Sequence, residues 1–406
     1  PDEVLESLTE TYQRKIHFQP LPLFNIRTLN FHIKAFPQFL LFSFLSLVLR
    51  YTKTSYFQGR EEDAIDFYRA RAQDTTLALA SQGVDNCNVS RALCLLALSD
   101  MLGSNLTQCW MTIGMAARLG TLRRHVGQKG TAQWRHLPET EERCHAYWSV
   151  LILENAFGPP TNPPTDFLSP LPCPEMHRLP SVKVPSSAHG NSPDIGGNTP
   201  TEECDINSFC VEVISIWTEI AGHIQSLRLG KLEQPWQPCS DHTRLFSKIH
   251  DFETRLPSKY LLRHVKFQDR SVQEVKSDWE YWISWVLLQF SLHSACALLS
   301  HPFIHVFVLR DNRRASPPRL FLQQMLDQAI YHSGWIAQLL EACEAVEMEI
   351  RNPLIGQMIV TAASILWLLR FSRDAGISEN ARRGFCKCEE VLSSLNPRWH
   401  HLEKKV

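Results

Sequence analysis

The chain has 406 residues, of which 44% are hydrophobic and 20% are charged, a composition that excludes a disordered, collagenous or coiled-coil protein. Its 41 Lys and Arg residues are balanced by 42 Asp and Glu residues, so the formal charge at pH 7 is −1. Proteins that bind nucleic acid through their own surface usually carry a basic excess. The balance therefore disfavours DNA or RNA binding by the chain as a whole and leaves only a local basic patch open.

Helical spacing dominates the N-terminal part of the chain. The i, i+3, i+4 pattern predicts helices over residues 64–79 and 89–102. The predicted buried face of the first contains Ala64, Phe67, Tyr68, Arg71, Thr75 and Leu79. A third helix is predicted over 110–119, where the small residues Gly114, Ala116 and Ala117 would let another helix approach closely. A fourth is predicted to begin at the N-cap Thr140 and to end near Asn155.

The composition changes between the two halves of the chain, because 11 of the 24 prolines lie between Pro159 and Pro200. Proline removes a backbone donor and fixes φ, which breaks regular structure. We therefore predict a Pro- and Gly-rich loop over 157–205. It would separate an N-terminal helical half, 1–156, from a C-terminal helical half, 206–406, of the same domain.

The C-terminal half again has helical patterns. Ser271 and Glu274 have the spacing of a capping box ahead of a long apolar run. The predicted helices cover 205–229, 240–256, 279–299, 319–349, 352–370 and, more weakly, 382–395. Strand-like alternation is absent. The predicted fold class is therefore all-α, a large irregular multi-helix regulatory-type domain with a Pro-rich loop.

The motifs of the common enzyme classes are missing, so we predict no catalytic residue and no enzymatic activity. Cys144 and His145 are neighbours on one helix, whereas a catalytic dyad forms across space. His301 and His305 have the i, i+4 spacing of metal ligands but no third ligand nearby, which favours a helix-terminal pair in a core. The 12 cysteines include no Cys-x-x-Cys pair, so we predict no metal site and no cofactor in this chain.

Three further features have a structural and a functional interpretation. The basic runs 123–125, 313–314 and 382–383 are typical of solvated helix ends, with partner or DNA-phosphate contact as the alternative. The tryptophans at 279, 282 and 285 favour a packed core over a stacking platform. The run from Trp282 to Ser300 is long enough to cross a membrane. Its polar residues favour a buried core helix, and we predict no membrane contact.

Several blocks occur in the order found in one known family. The two most specific are 110–119, with Trp110, Met111 and Gly114, and 141–153, with Tyr147 and Trp148. The others are Tyr12 with His17 and 20–23, Phe39–Tyr51, 67–71, Ser90–Leu102, Leu171 with Pro172, Leu292 with His293, and His301 with Pro302 and Phe303. Over about 12–372, the chain resembles the fungal-specific transcription factor domain. That domain is the middle homology regulatory region of zinc binuclear cluster transcription regulators.

The chain departs from the family pattern at four places. It has Leu122 to His125 where the family usually has Leu-Gly-Leu-His, and Glu154 where the family has Asp. It has Gly158-Pro159-Pro160 in place of Gly-Arg-Pro, and His301 in place of an arginine. The loss of two arginines would remove buried ion pairs or a ligand contact. We therefore expect effector recognition to differ from that of other members.

The resemblance implies a nuclear protein that regulates transcription through effector or partner binding. The implied partners are transcription-machinery or regulator proteins, a small-molecule effector and a second copy of the chain. No effector-binding residue is assigned; an aromatic cavity near Trp110, Trp148 and Trp282 is weighed against packed core, which is favoured.

The family's DNA reader is a six-cysteine, two-zinc cluster that this chain lacks. We therefore expect zinc and DNA contact only through a missing module, and assign no nucleic-acid-binding residue here. The start without Met suggests a truncated record, with loss of the reader as the other explanation. The alternative function is a non-DNA-binding helical scaffold or inhibitor derived from the same domain.

Overall fold

A computed structural model of the chain describes residues 2–19, 21–84, 86–127, 139–157, 206–230, 234–304 and 317–395. Within these ranges the chain forms α-helices and short 3₁₀ turns and no strand, which confirms the predicted all-α fold class. The predicted loop lies outside the described residues except for Phe157. The chain separates into two compact units, whose described parts are 2–157 and 206–395. That both halves belong to one domain stays a prediction.

The first unit is built around a helix that is buried on all sides. Its helices are α1 Asp2–Lys15, α2 Ile26–His32, α3 Gln38–Val48, α4 Glu61–Ser81, α5 Cys87–Leu102, α6 Leu106–Gly127 and α7 Glu139–Phe157. The central helix is α5, which packs against α3, α4, α6 and α7. It begins where the Asn86 side chain accepts the Asn88 N–H at 2.9 Å, an N-cap that satisfies one free donor of the first turn.

The second unit has the same plan. Its helices are α8 Ile206–Arg228, α9 Asp241–Arg255, α10 Leu262–Val265, α11 Val272–Ser277, α12 Trp279–Leu299, α13 Arg319–Ala345, α14 Pro353–Leu369 and α15 Ala375–Leu395. The central helix is α12, which packs against α8, α9, α13 and α14. Side-chain caps start three of its neighbours: Ser240 for α9, Ser271 for α11 and Asn352 for α14. The predicted capping box of Ser271 and Glu274 is present.

Helix α12 belongs to the core of the second unit, as the sequence favoured. The stretch Trp279–Ile304 is apolar and long enough to cross a membrane, but 94% of its most apolar window is buried inside the protein. Several polar side chains of α12 are hydrogen-bonded within the core. Trp285 Nε1 and Gln289 Nε2 donate to the Tyr260 carbonyl at 3.0 and 2.9 Å, and Ser294 accepts from Trp217 Nε1 at 3.0 Å. These bonds remove the cost of burying polar atoms.

The predicted face of the helix over 64–79 is wrong by about one residue. The buried residues of α4 are Ile65, Ala72, Thr76 and Ala80, and Phe67 is 53% exposed. Small side chains face inward because the bulky residues of α3 fill the space opposite, where Phe42 lies 5.2 Å from the Tyr68 ring. The bulk of Phe67 misled the assignment. Thr140 also lies inside α7, which begins at Glu139.

Of the three small residues predicted to allow a close helix approach, Ala116 and Ala117 are buried in α6, which packs against α5, whereas Gly114 is exposed. A Cβ at Gly114 would meet nothing within 4 Å, whereas one at Gly384 on α15 would lie 3.1 Å from Ala337 Cβ and 3.2 Å from Leu366 Cδ1. The glycine that permits close packing is therefore in the second unit, where α15 contacts α13 and α14. Gly384 could not be singled out from the sequence, because its i±4 neighbours are not uniformly small.

Candidate functional site

A cavity of about 310 Å³ lies between three helices of the second unit. Helices α9, α12 and α13 line it with a mixture of apolar, aromatic and polar side chains. The lining residues are Phe246, Ile249, His250, Glu253, Cys296, Leu299, Ser300, Gln328, Tyr331 and His332. A concave apolar space with a few converging polar groups is the usual form of a small-molecule site.

The amphipathic pattern of α9 explains how three of these side chains reach the cavity. Leu245, Ile249 and Phe252 are buried in the core. Phe246, His250 and Glu253 are four and three residues apart, so they share a neighbouring stripe of the helix. The Nδ1–H of His250 donates to the Phe246 carbonyl oxygen at 3.0 Å, and the two rings lie 4.4 Å apart. This contact fixes both rings against the cavity.

A pair of histidines forms one end of the site. His293 Nδ1 and His332 Nδ1 are 2.9 Å apart, and His332 Nε2 is 2.8 Å from Gln328 Oε1. Because an amide oxygen only accepts, this bond assigns the His332 proton to Nε2, and His332 Nδ1 then accepts from His293. Burial lowers the pKa of His293 to about 3 and that of His332 to about 4. Both rings are therefore neutral at pH 7.

Glu253 supplies a carboxylate at the mouth of the cavity. Burial raises the pKa of Glu253, and His250 opposes this change. The same carboxylate, after burial, raises the pKa of the Cys296 thiol, which shows that the two groups are close. Within the described part of the chain, no side chain donates a hydrogen bond to Glu253 or forms an ion pair with it. The i, i+3 spacing of His250 and Glu253 was the sequence signal that could have indicated this pair of polar side chains.

The polar centre of the first unit is an ion pair. Arg69 Nε contacts Asp100 Oδ1, and the Asp100 side chain is 2% exposed. Burial raises the pKa of Asp100, against the lowering effect of Arg69. Arg50 lies beside the pair and donates from Nε to Ser99 Oγ at 3.2 Å. These contacts join α4, α5 and the 3₁₀ turn Leu49–Tyr51 that follows α3, so their role is to hold the unit together.

His301 has a structural environment. Its Nδ1 accepts the Phe303 N–H at 3.2 Å, and its Nε2 donates to Ser364 Oγ at 2.9 Å. Burial lowers the pKa of His301 to about 4, so a neutral ring occupies the place of the family's arginine. His305 lies outside the described residues. Within those residues, no group of three or more His, Cys, Asp or Glu side chains could hold a metal ion.

The other motifs are not brought together into a site. His145 Nδ1 donates to the Pro22 carbonyl oxygen at 2.5 Å, and the Cys144 side chain is not among those described. Arg383 lies on an exposed helix face, 3.8 Å from Glu341, which fits a solvated face. The side chains of the runs 123–125 and 313–314 lie outside the described set.

The aromatic cavity weighed for three tryptophans is not formed by them. Trp110 is 43% exposed, Trp148 is buried, and Trp282 is fully buried, 5.3 Å from the Phe267 ring. None of the three lines the cavity of the second unit. Packed core, the favoured interpretation, describes Trp148 and Trp282.

Comparison with known proteins gives two matches and one negative result. The model of the family described as the fungal-specific transcription factor domain matches residues 10–283. An uncharacterized transcriptional regulatory protein of Schizosaccharomyces pombe is 20% identical over 368 residues, which cover 79% of this chain and 51% of that protein. The chain thus spans about half the length of that curated relative. No solved structure matches the chain significantly.

Proposed function

The chain belongs to the fungal-specific transcription factor domain family, whose model matches 10–283, and from this premise we propose that an effector in the second unit's cavity controls its regulatory activity. Its general role is transcription regulation. The observation that carries the proposal is the cavity between α9, α12 and α13, with a carboxylate at its mouth and neutral histidines at one end. A ligand there would contact three helices at once.

The proposed mechanism is a shift between helix packings. A ligand shifts such an equilibrium only if it binds the two arrangements unequally. Cavity residues come from α9, α12 and α13, and α12 also packs against α8 and α14. A ligand that draws α9 and α13 toward α12 would therefore change the core of the unit. Partner proteins of the transcription machinery would respond to that change.

DNA contact is assigned to a module outside residues 1–406, and the site of action is the nucleus. The even balance of 41 basic and 42 acidic residues supports this division. A zinc cluster of the kind that the family's DNA readers contain would supply the contact. Specific DNA binding by residues 1–406 alone, in a gel-shift assay with competitor DNA, would contradict it.

The alternative function is a helical scaffold or inhibitor that binds a partner regulator without contacting DNA. The two functions differ in what they need from the cavity. An effector-controlled regulator loses its response when the cavity is filled, whereas a scaffold keeps its partner. The size of the reporter response therefore separates them.

The test is a transcription reporter driven by residues 1–406 fused to a heterologous DNA-binding domain. Cys296→Met extends a longer side chain into the cavity, and Cys386→Met makes the same change at an exposed position of α15. We expect the first to change reporter output at least about fivefold, the lower end of common coupling energies, and the second to leave it unchanged. Equal output from both, with both folded by circular dichroism, would overturn the proposal.

A further inference from the structure

The charge of the cavity is one-sided. Glu253 is its carboxylate, and no Lys or Arg is among the described lining residues. His332 adds no positive charge at pH 7, because burial lowers its pKa to about 4. His293, behind it, is neutral for the same reason. His250 is the remaining titratable ring of the lining, and its effect on the pKa of Glu253 is opposite to that of burial. A ligand that enters this space therefore meets one negative group and no Lys or Arg among the described lining residues.

The Glu253 carboxylate is also without a cation of its own. Ion pairs on the opposite face of α9 show the contrast: Lys248 Nζ lies 2.5 Å and Arg244 Nη1 2.6 Å from the Glu219 carboxylate. No such pair exists for Glu253 among the described residues. Glu253 is an exposed residue, yet partial burial of its carboxyl group raises its pKa, and a neighbouring cation would favour the charged form. The site is therefore more complete with a cation bound than without one.

The other walls of the cavity suit the aromatic contact and the hydrocarbon part of an organic cation. The Phe246 and His250 rings lie on one side, and Tyr331, which is 57% exposed, lies at the opening. Aromatic faces attract ammonium groups when the cation lies within about 6 Å of the ring. Ile249 and Leu299 are buried and apolar, so they offer surface to a hydrocarbon body rather than to a hydrated ion.

We propose that this cavity binds a small organic amine in its protonated form. The ammonium group binds at Glu253 beside the aromatic rings, and the apolar body packs against Ile249 and Leu299. The proposal rests on the proposed function, since it names the chemical class of the effector for the same site. An anionic ligand would face Glu253 without compensation, and a neutral one would bury the carboxylate further without pairing it.

The test uses three probes of one shape: 2-phenylethylammonium, 2-phenylethanol and phenylacetate, titrated into residues 1–406 by calorimetry at pH 7. We expect the ammonium to bind about tenfold more tightly than the alcohol, a difference typical of one charge contact, and phenylacetate to bind more weakly than the alcohol. In Glu253→Gln the ammonium and the alcohol bind alike. Glu379→Gln, at an exposed position of α15, keeps the tenfold preference.

Several outcomes overturn the proposal. They are equal affinity for ammonium and alcohol in the unmodified protein, no binding of any probe, or a preference that survives in Glu253→Gln. Unchanged melting temperatures of both variants confirm that the fold is intact. If Cys296→Met alters reporter output but no amine binds, only the ligand class fails. If amines bind and the reporter ignores the cavity, the site stands and the proposed function fails.

Discussion

The two units differ in the polar pair that lies near their centre. The first keeps a charged pair, Arg69 with Asp100, between α4 and α5. The second keeps neutral imidazoles, His293 with His332, next to a cavity. A buried charge is tolerated only with its partner, so the pair fixes one arrangement. Neutral imidazoles need hydrogen bonds but no counter-charge, and they lose their place when they gain a proton. The first unit also buries His17, but the second buries three such rings, so we expect its packing to respond more strongly to acid.

Acidification gives the largest expected effect and should act mainly on the second unit. His293, His301 and His332 have pKa values lowered by burial to about 3, 4 and 4, below about 6.5 in the unfolded chain. Stability is retained above pH 6.5 and is lost as pH falls toward these values, because the unfolded state binds more protons. Between pH 6.5 and 5 the loss is about 2 kcal/mol for each histidine.

Hydrogen exchange measured by mass spectrometry at pH 7 and pH 5, corrected for intrinsic rates, separates the units. In the first unit, burial lowers the pKa of His17 to about 3. Each unit also contains one carboxyl group with a raised pKa, Asp100 in the first and Glu253 in the second. Protonation of these groups favours the folded state in both units, so it does not change which unit is expected to lose more protection. A first unit that loses more protection than the second would contradict the comparison.

Breaking the ion pair tests the first unit. Arg69→Met leaves Asp100 buried without its partner, and we expect a loss of about 3 kcal/mol in the free energy of unfolding. Arg71→Met, at an exposed position of the same helix, should change stability by less than about 0.5 kcal/mol. Chemical denaturation followed by circular dichroism measures both.

The double variant Arg69→Met with Asp100→Leu refines that test. It replaces the pair by apolar groups, which is often neutral or stabilising, so most of the loss should be recovered. If the double variant is as unstable as Arg69→Met, the cost comes from lost packing by the arginine stem and not from an uncompensated charge. The contrast between charged and neutral centres would then lose its basis.

Much of the fold could be predicted from the sequence, and much of the site could not. Helical periodicity predicted most long helices, and the caps at Ser240, Ser271 and Asn352 follow from local chemistry. The face of α4 was wrong because burial depends on what lies opposite, and that is a tertiary fact. The His293–His332 contact joins residues 39 apart in sequence. No spacing rule predicts it, because it depends on how α12 and α13 cross.

Helix packing in the second unit is tested at Gly384. A Cβ there would already lie 3.1 Å from Ala337 Cβ, so Gly384→Val must push α15 away from α13 and α14. Overpacking of this kind costs about 2 kcal/mol. Thermal unfolding of the variant measures the loss, and Gly376→Val, close to the start of the same helix, serves as the comparison. A Gly384 variant that melts with the unmodified protein would show that α15 is not closely packed.

The smallest effect is expected at Gly114, the matching glycine of the first unit. A Cβ at this position meets nothing within 4 Å, and the residue is exposed within α6. Gly114→Ala should therefore add helix propensity without a clash and stabilise the unit by up to about 1 kcal/mol. Denaturant unfolding resolves a gain of this size. A loss in place of the gain would mean that another surface lies against α6 at Gly114. The family's most specific block, 110–119, would then contact that surface at Gly114.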